Sequence, residues 1–238
     1  MICPAPMRKA ADTMTISEAL TVDQVIDRME RLQATIPAGD GVGVFNHVYL
    51  RVTRLVAERL ADGYFADPAG MSELDAVFAA RYLEAVEAAA SGRRPAHCWR
   101  PLFELRGRPG LHPLQFALAG MNAHIENDLP LSVLDTCRLL GQEPEDVRAD
   151  YHRINDVLAQ VEAEVREELL PCPDDLHAAD RLLHVVGVWS IDRAREAAWA
   201  SVLALWELRH SPLVEDAVAA ALSRSVGMVS RALLTPVE

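Results

Sequence analysis

Apolar positions along the chain recur at steps of three and four residues. Between Val42 and Asp62, Phe45, Val48, Tyr49, Val52, Val56 and Leu60 gather on one side of a helical wheel. His47, Arg51, Arg54 and Glu58 fall on the other side. No segment alternates apolar and polar residues with the period of two that a half-buried strand requires. The pattern predicts an all-α, single-domain, multi-helix bundle. Its helices are bounded by Pro37 to Asp40, Gly63 to Gly70, Gly92 to Pro95, Gly107 to Gly110, Gly141 to Pro144, Pro171 to Pro173 and Ser211-Pro212. The gaps are short, which favours one domain over residues 21–238 behind a flexible N-terminal segment at 1–20.

Several boundaries follow from local chemistry. Thr21 offers an N-cap oxygen to a helix from Val22 to about Gln33. Ser72 is placed to cap a helix reaching Ala90, with Asp75 at its third position. Asp75 therefore has two readings, as a capping carboxylate or as a pocket group on the face of Phe78, Ala79 and Tyr82. Trp99 to Arg106 reads as a short helical piece, and Pro144 to Leu169 as a long one. Asp175 to Leu208 forms one helix or two joined near Gly187, and Pro212 to Leu234 looks like a packing element.

The segment from His112 to Pro130, HPLQFALAGMNAHIENDLP, is apolar or small on every side and predicts a buried central helix. Pro130 is expected to end it by forcing Leu129 out of helical geometry. Within this apolar run lie Asn122, His124, Asn127 and Asp128. Burying an unpaired polar group costs roughly 1 to 3 kcal/mol, so these side chains call for partners, a metal or a substrate.

His124 and Asp128 stand four residues apart, on one face of a helix, and support three chemistries. They could share a divalent ion (zinc, manganese or iron), with His184 as the favoured third ligand and His112, Asp192 or Asp75 as others. Asp128 could instead accept the imidazole N–H and leave a metal-free polar core. In the third reading His124 is a general base oriented by Asp128, while Arg195 or Asn122 stabilises developing negative charge. A second stripe, His184, Val188, Asp192, Arg195 and Trp199, either lines a pocket or is a solvated face carrying an Asp192–Arg195 ion pair. Asn46, Tyr49 and Thr53 form a polar shoulder on the second helix. The candidate catalytic set is His124, Asp128, Asp192 and Arg195. Asn46, Tyr49, Asn122 and Trp199 are candidate substrate contacts.

Composition narrows the partners. A net charge of −12 repels polyanions and argues against nucleic acid or an anionic membrane as a target. No apolar run reaches the roughly 18 to 20 residues needed to span a bilayer. Cys3, Cys98, Cys137 and Cys172 form no C-x-x-C pair, which favours a reducing, cytoplasmic setting. Gly-rich phosphate loops are absent, and only Glu207 to His210 fits the Glu-x-x-His spacing of di-iron bundles. The expectation is a small-molecule enzyme of hydrolase or lyase/cyclase type, with its oligomeric state open and a homodimer among the options. The alternative is a non-catalytic ligand- or partner-binding protein whose His/Asp network is structural.

FNHVYLRVT at Phe45 to Thr53, MSELDAVFAARYL at Met71 to Leu83, the NAHIENDLP stretch and WSIDRAREAAW at Trp189 to Trp199 together resemble an uncharacterised bacterial all-helical family of unknown function. The resemblance covers most of the chain after about residue 20. It implies that the architecture recurs as a unit and supplies no mechanism. A fainter similarity to zinc-dependent helical phospholipases and nucleases rests on the His-x-x-x-Asp spacing alone.

Overall fold

Helices run through the computed structural model, which describes residues 20–169 and 190–236, and no strand occurs among those residues. The expectations for residues 1–19, for His184 and for a join near Gly187 lie outside the described residues. In chain order the helices are α1 (Val22–Thr35), α2 (Gly41–Ala61), α3 (Pro68–Ala90), α4 (Arg100–Leu105) and α5 (Pro113–Ala123). A π-helical turn (His124–Asp128) then leads into α6 (Leu129–Leu140), followed by α7 (Pro144–Leu169), α8 (Ile191–Glu207) and α9 (Pro212–Leu233). The fold is an all-α single-domain bundle.

The start of α1 follows the expectation: Thr21 and Gln24 cap each other's backbone amides. The start of α3 departs from it. Asp67, not Ser72, is the N-cap, accepting from Gly70 N–H at 2.9 Å, and Pro68 occupies the first turn. Proline in the first helical position satisfies the chain better than the later serine, because it has no amide to orphan there. Asp75 is thereby moved into the middle of α3, where its capping role disappears. The loop before α3 is tied to α7 by Asp150. Its buried carboxylate accepts Ala66 N–H and Asp67 N–H at 2.9 and 2.8 Å and an Arg153 N–H at 2.8 Å.

Pro130 does not end the central helix. Leu129 keeps right-handed helical angles (φ −61°, ψ −47°), and its N–H reaches back to the carbonyl of His124, five residues earlier. A proline in a helix lacks one amide and crowds the carbonyl four residues before it. One wide turn ahead of Pro130 relieves that crowding and lets the chain continue into α6.

The buried central segment joins two apolar cores. Phe116, Ala119 and Ala123 belong to a core with Val25, Met29, Phe45, Tyr82 and Trp99. Ile125 and Leu129 belong to a second with Met71, Leu74, Tyr151, Ile191 and Val202. α5 approaches α2 closely at Gly120, where an added Cβ would fall 2.3 Å from the Phe45 ring. At the other side, α9 seats Gly227 against the His97 carbonyl, with room for no side chain. α9 buries only Val226, Gly227 and Ser230 and leaves Leu213, Val214, Val218, Met228 and Val229 exposed, so it packs less fully than its composition suggests.

Candidate functional site

His124 and Asp128 are the first and last residues of the π turn, and their side chains meet on one face of it. His124 Nδ1 lies 3.1 Å from Asp128 Oδ2. The same oxygen accepts Trp99 Nε1–H at 2.8 Å, and Asp128 Oδ1 accepts Asn127 Nδ2–H at 2.7 Å. A carboxylate facing Nδ1 requires the proton on that nitrogen, which leaves Nε2 with a bare lone pair. Nε2 is buried and has no hydrogen-bond partner among the described residues.

Aromatic rings enclose the imidazole. Phe78 stacks on it with centroids 3.6 Å apart and planes 5° from parallel, and Tyr49 meets it edge-on at 4.4 Å. Phe45, Trp99 and Tyr82 stand at 5.9, 5.8 and 6.2 Å. Burial holds the His124 pKa below its ordinary value, opposed by the hydrogen bond and charge of Asp128 and assisted by Arg81. The ring is therefore neutral at neutral pH. The surrounding π faces favour the imidazolium whenever it forms.

His124 opens onto a cavity of about 110 Å³ at the seam between the two cores, walled by α2, α3, α5, the π turn, the start of α6, α7 and α8. Its lining is apolar except for Tyr49, Asp75, His124, Tyr151 and Arg195. Asp75 lies one turn before Phe78 on α3. Its Oδ2 is buried without a partner among the described residues, and burial pushes the carboxyl up to about 7. Tyr49 Oη is likewise buried and without a hydrogen bond to any described residue. Burial, and then the charge of Asp75, raise its pKa well above the ordinary phenol value. The Thr53 hydroxyl offsets this slightly, but its own hydrogen bond goes to the Tyr49 carbonyl at 3.0 Å.

Arg195 bounds the cavity on the α8 side. Its Nε donates to Asn155 Oδ1 at 2.6 Å, another N–H donates to the Tyr151 carbonyl, and the guanidinium lies 4.1 Å over the Tyr151 ring. Tyr151 Oη closes the clasp by donating to the Arg195 carbonyl at 2.8 Å. Burial lowers the Arg195 pKa from its ordinary value, and Asp192 acts on it only through space. Of the two readings of this stripe, the Asp192–Arg195 ion pair gives way to this clasp. Asp192 itself is exposed, on the rim of an open groove with His152, Asp156 and Glu196.

Other candidates are placed elsewhere. Asn46 donates to the Met29 carbonyl and Gln33 Oε1 at 3.0 and 2.7 Å and accepts from Tyr82 Oη at 3.2 Å, so it ties α1, α2 and α3 outside the cavity. Asn122 faces α9, donating to the Val226 carbonyl and Ser230 Oγ at 3.1 and 2.9 Å. Trp199 packs on Tyr151 with centroids 4.7 Å apart, outside the cavity lining. His112 caps its own helix, its Nδ1 accepting Leu114 N–H at 3.3 Å.

The sharing of one ion by His124 and Asp128 finds no geometry among the described residues. His124 and Asp128 turn on each other, with the carboxylate shared by Trp99 and Asn127, and do not splay toward a common ion. Among the described residues no group of three or more His, Cys, Asp and Glu could hold one. His184, the favoured third ligand, is outside the described residues. Trp99 and Phe78, which complete the site, carried no polar signal in the sequence. The placement of Phe78 one turn from Asp75 was the only hint.

The family model for DUF5995 matches residues 22–236. The chain belongs to this family of unknown function. No curated protein and no solved structure matches it. The DUF5995 match spans every element that lines the cavity, from α2 to α8.

Proposed function

We propose that the protein is a small-molecule enzyme that uses His124 as a general base, positioned by Asp128, in an apolar cavity. One observation carries this reading: a buried imidazole with Nδ1 anchored and Nε2 left unpaired on a cavity wall. Leaving such an acceptor unpaired costs roughly 1 to 3 kcal/mol, a cost that a ligand donating to Nε2 would repay. The chemistry that suits the arrangement is proton transfer, elimination or cyclisation, with the proton held on Nε2 and the imidazolium stabilised by Asp128 and the aromatic faces. Arg195 supplies a fixed positive charge at the α8 wall. Free, buried thiols at Cys98 and Cys137 support a reducing, cytoplasmic setting. No helix among the described residues is long and apolar enough to cross a membrane.

A two-bond 1H–15N correlation spectrum of the histidine ring tests the proposal. The expected result is an Nδ1–H tautomer for His124 and an Nε2 resonance that shifts when phenol, as a small apolar donor, binds. Asp128→Asn is expected to mix the tautomers and weaken phenol binding. An Nε2–H tautomer in the native protein, or an Nε2 resonance unmoved by phenol, overturns the reading.

A second reading has its own observation. Asp128 joins α4, through Trp99, to the π turn, so the network also fixes how those elements meet. If His124→Gln lowers stability while phenol binds unchanged, the network is structural and the protein binds ligands without acting on them.

A further inference from the structure

Three polar atoms without partners share one cavity. His124 Nε2, Tyr49 Oη and Asp75 Oδ2 are all buried without hydrogen-bond partners among the described residues, and all three residues line the same apolar space. Tyr49 and His124 are in ring contact at 4.4 Å, and Asp75 is close enough for its charge to act on the Tyr49 hydroxyl. Neutral at Asp75, the set offers two O–H donors and one nitrogen acceptor. A ligand that satisfies it brings an oxygen with two lone pairs next to a hydrogen that can be given up.

Resting on the assignment of His124 as base, we propose that the cavity takes a small carbonyl compound with an apolar body. Its oxygen accepts hydrogen bonds from Tyr49 Oη and the Asp75 carboxyl, while His124 Nε2 removes a proton from the adjacent carbon. The carbon–hydrogen bond breaks heterolytically and its proton passes to Nε2. Its electron pair becomes the carbon–carbon π bond of an enolate, and the carbonyl π pair moves to oxygen, where the two donors hold the charge. The imidazolium returns a proton to the same carbon as the carbon–oxygen π bond re-forms, so no oxidant or reductant is consumed. Size limits the body: about 110 Å³ is somewhat below the roughly 150 Å³ apolar cavity that accommodates benzene, so a five- or six-membered ring or a short branched chain is the upper range. Carboxylate ligands are disfavoured because Asp128 and, at higher pH, Asp75 already place negative charge beside the same atoms.

Asp75 must be protonated to donate. The groups facing the cavity around it are Tyr49 on α2, His124 on the π turn with Asp128 behind it, Tyr151 on α7 and Arg195 on α8, with Arg81 further along α3. Only desolvation shifts Asp75 appreciably, to about 7, while His124 is held below its ordinary value. Turnover is therefore expected in a window closed on the acid side by His124 and on the alkaline side, near pH 7, by Asp75.

The test uses the full chain with carbonyl-13C cyclopentanone and cyclohexanone, with cyclohexanol as control. Isotope-edited infrared spectroscopy at pH 6 reads the carbonyl, and 1H NMR in D2O reads loss of α-hydrogen. The expected result is a bound carbonyl band below its frequency in water, together with α-exchange faster than in buffer. Exchange should drop about 10²- to 10³-fold in Tyr49→Phe and about 10²- to 10⁴-fold in His124→Gln. Asp75→Asn keeps a neutral donor, so it should retain most of the band shift and lose the alkaline limb of the pH profile. Exchange that needs His124 but ignores Tyr49 and Asp75 overturns this assignment and leaves the base intact. A shifted band without exchange upholds the carbonyl site and removes the base. Failure of both ketones to bind, or a ketone bound no better than cyclohexanol with an unshifted band, overturns the carbonyl site outright.

Discussion

Trp99 Nε1–H donates to Asp128 Oδ2 at 2.8 Å, the same oxygen that meets His124 Nδ1. The indole therefore competes with the imidazole for one acceptor and weakens the hold of Asp128 on the histidine proton. Removing the indole N–H in Trp99→Phe leaves the carboxylate with less stabilisation. Stability should fall by about 1 to 3 kcal/mol in denaturant titrations. The His124 pKa should rise toward its ordinary value, read from ring 1H shifts, because Asp128 then bonds the imidazole more strongly.

Asp75 gives the fold a pH dependence of known sign. Its carboxyl is raised to about 7 from an ordinary value of 3.8. Protonation is thus favoured in the native state, and the stability it confers is present below the ordinary value and lost as pH rises through about 7. The loss is on the order of 4 kcal/mol if the whole shift is realised. Asp75→Asn should flatten this slope between pH 4 and 7 and be more stable than the native chain at pH 7.5, measured by urea unfolding.

His124 acts in the opposite direction. With its pKa depressed by burial, the unfolded chain binds the proton first as pH falls. Its contribution is present above pH 6.5 and declines as the solution is acidified toward the folded-state value. The Asp75→Asn background isolates this limb, and adding His124→Gln should abolish it.

Gly120→Ala sets two effects against each other. Alanine favours the helix by about 1 kcal/mol over glycine. The new methyl would lie 2.3 Å from the Phe45 ring and 2.8 Å from its Cβ, so rotation of the ring alone cannot clear it. Overpacking typically costs about 1 to 3 kcal/mol. The net expectation is destabilisation by about 1 kcal/mol, with Phe45 displaced toward the cavity and binding of cyclohexanone weakened.

Asp150→Ala removes the acceptor of two backbone amides and an arginine at the junction of α3 and α7. A loss of about 2 to 4 kcal/mol is expected in thermal or denaturant unfolding. Since α3 carries both Asp75 and Phe78, phenol binding should weaken alongside stability.

Much of the architecture was legible in the residues themselves. The three- and four-residue spacing of apolar side chains, the Thr21 cap and the all-round apolar character of the segment after His112 are local properties, and they specify an all-helical chain with one buried helix. The pairing of His124 with Asp128 was legible for the same reason, since both lie within one turn. The continuation through Pro130 was not, because a proline's conflict with the preceding carbonyl is settled by how the whole helix is held between two cores. Packing likewise sent Asn46 and Asn122 to neighbouring backbones and aligned Trp99 with Asp128. It also brought Asp75, Tyr49 and His124 to the lining of one cavity. Periodicity follows from the geometry of a single helix, whereas the meeting of polar groups from α2, α3 and the π turn depends on distances between helices, which only the packed structure determines.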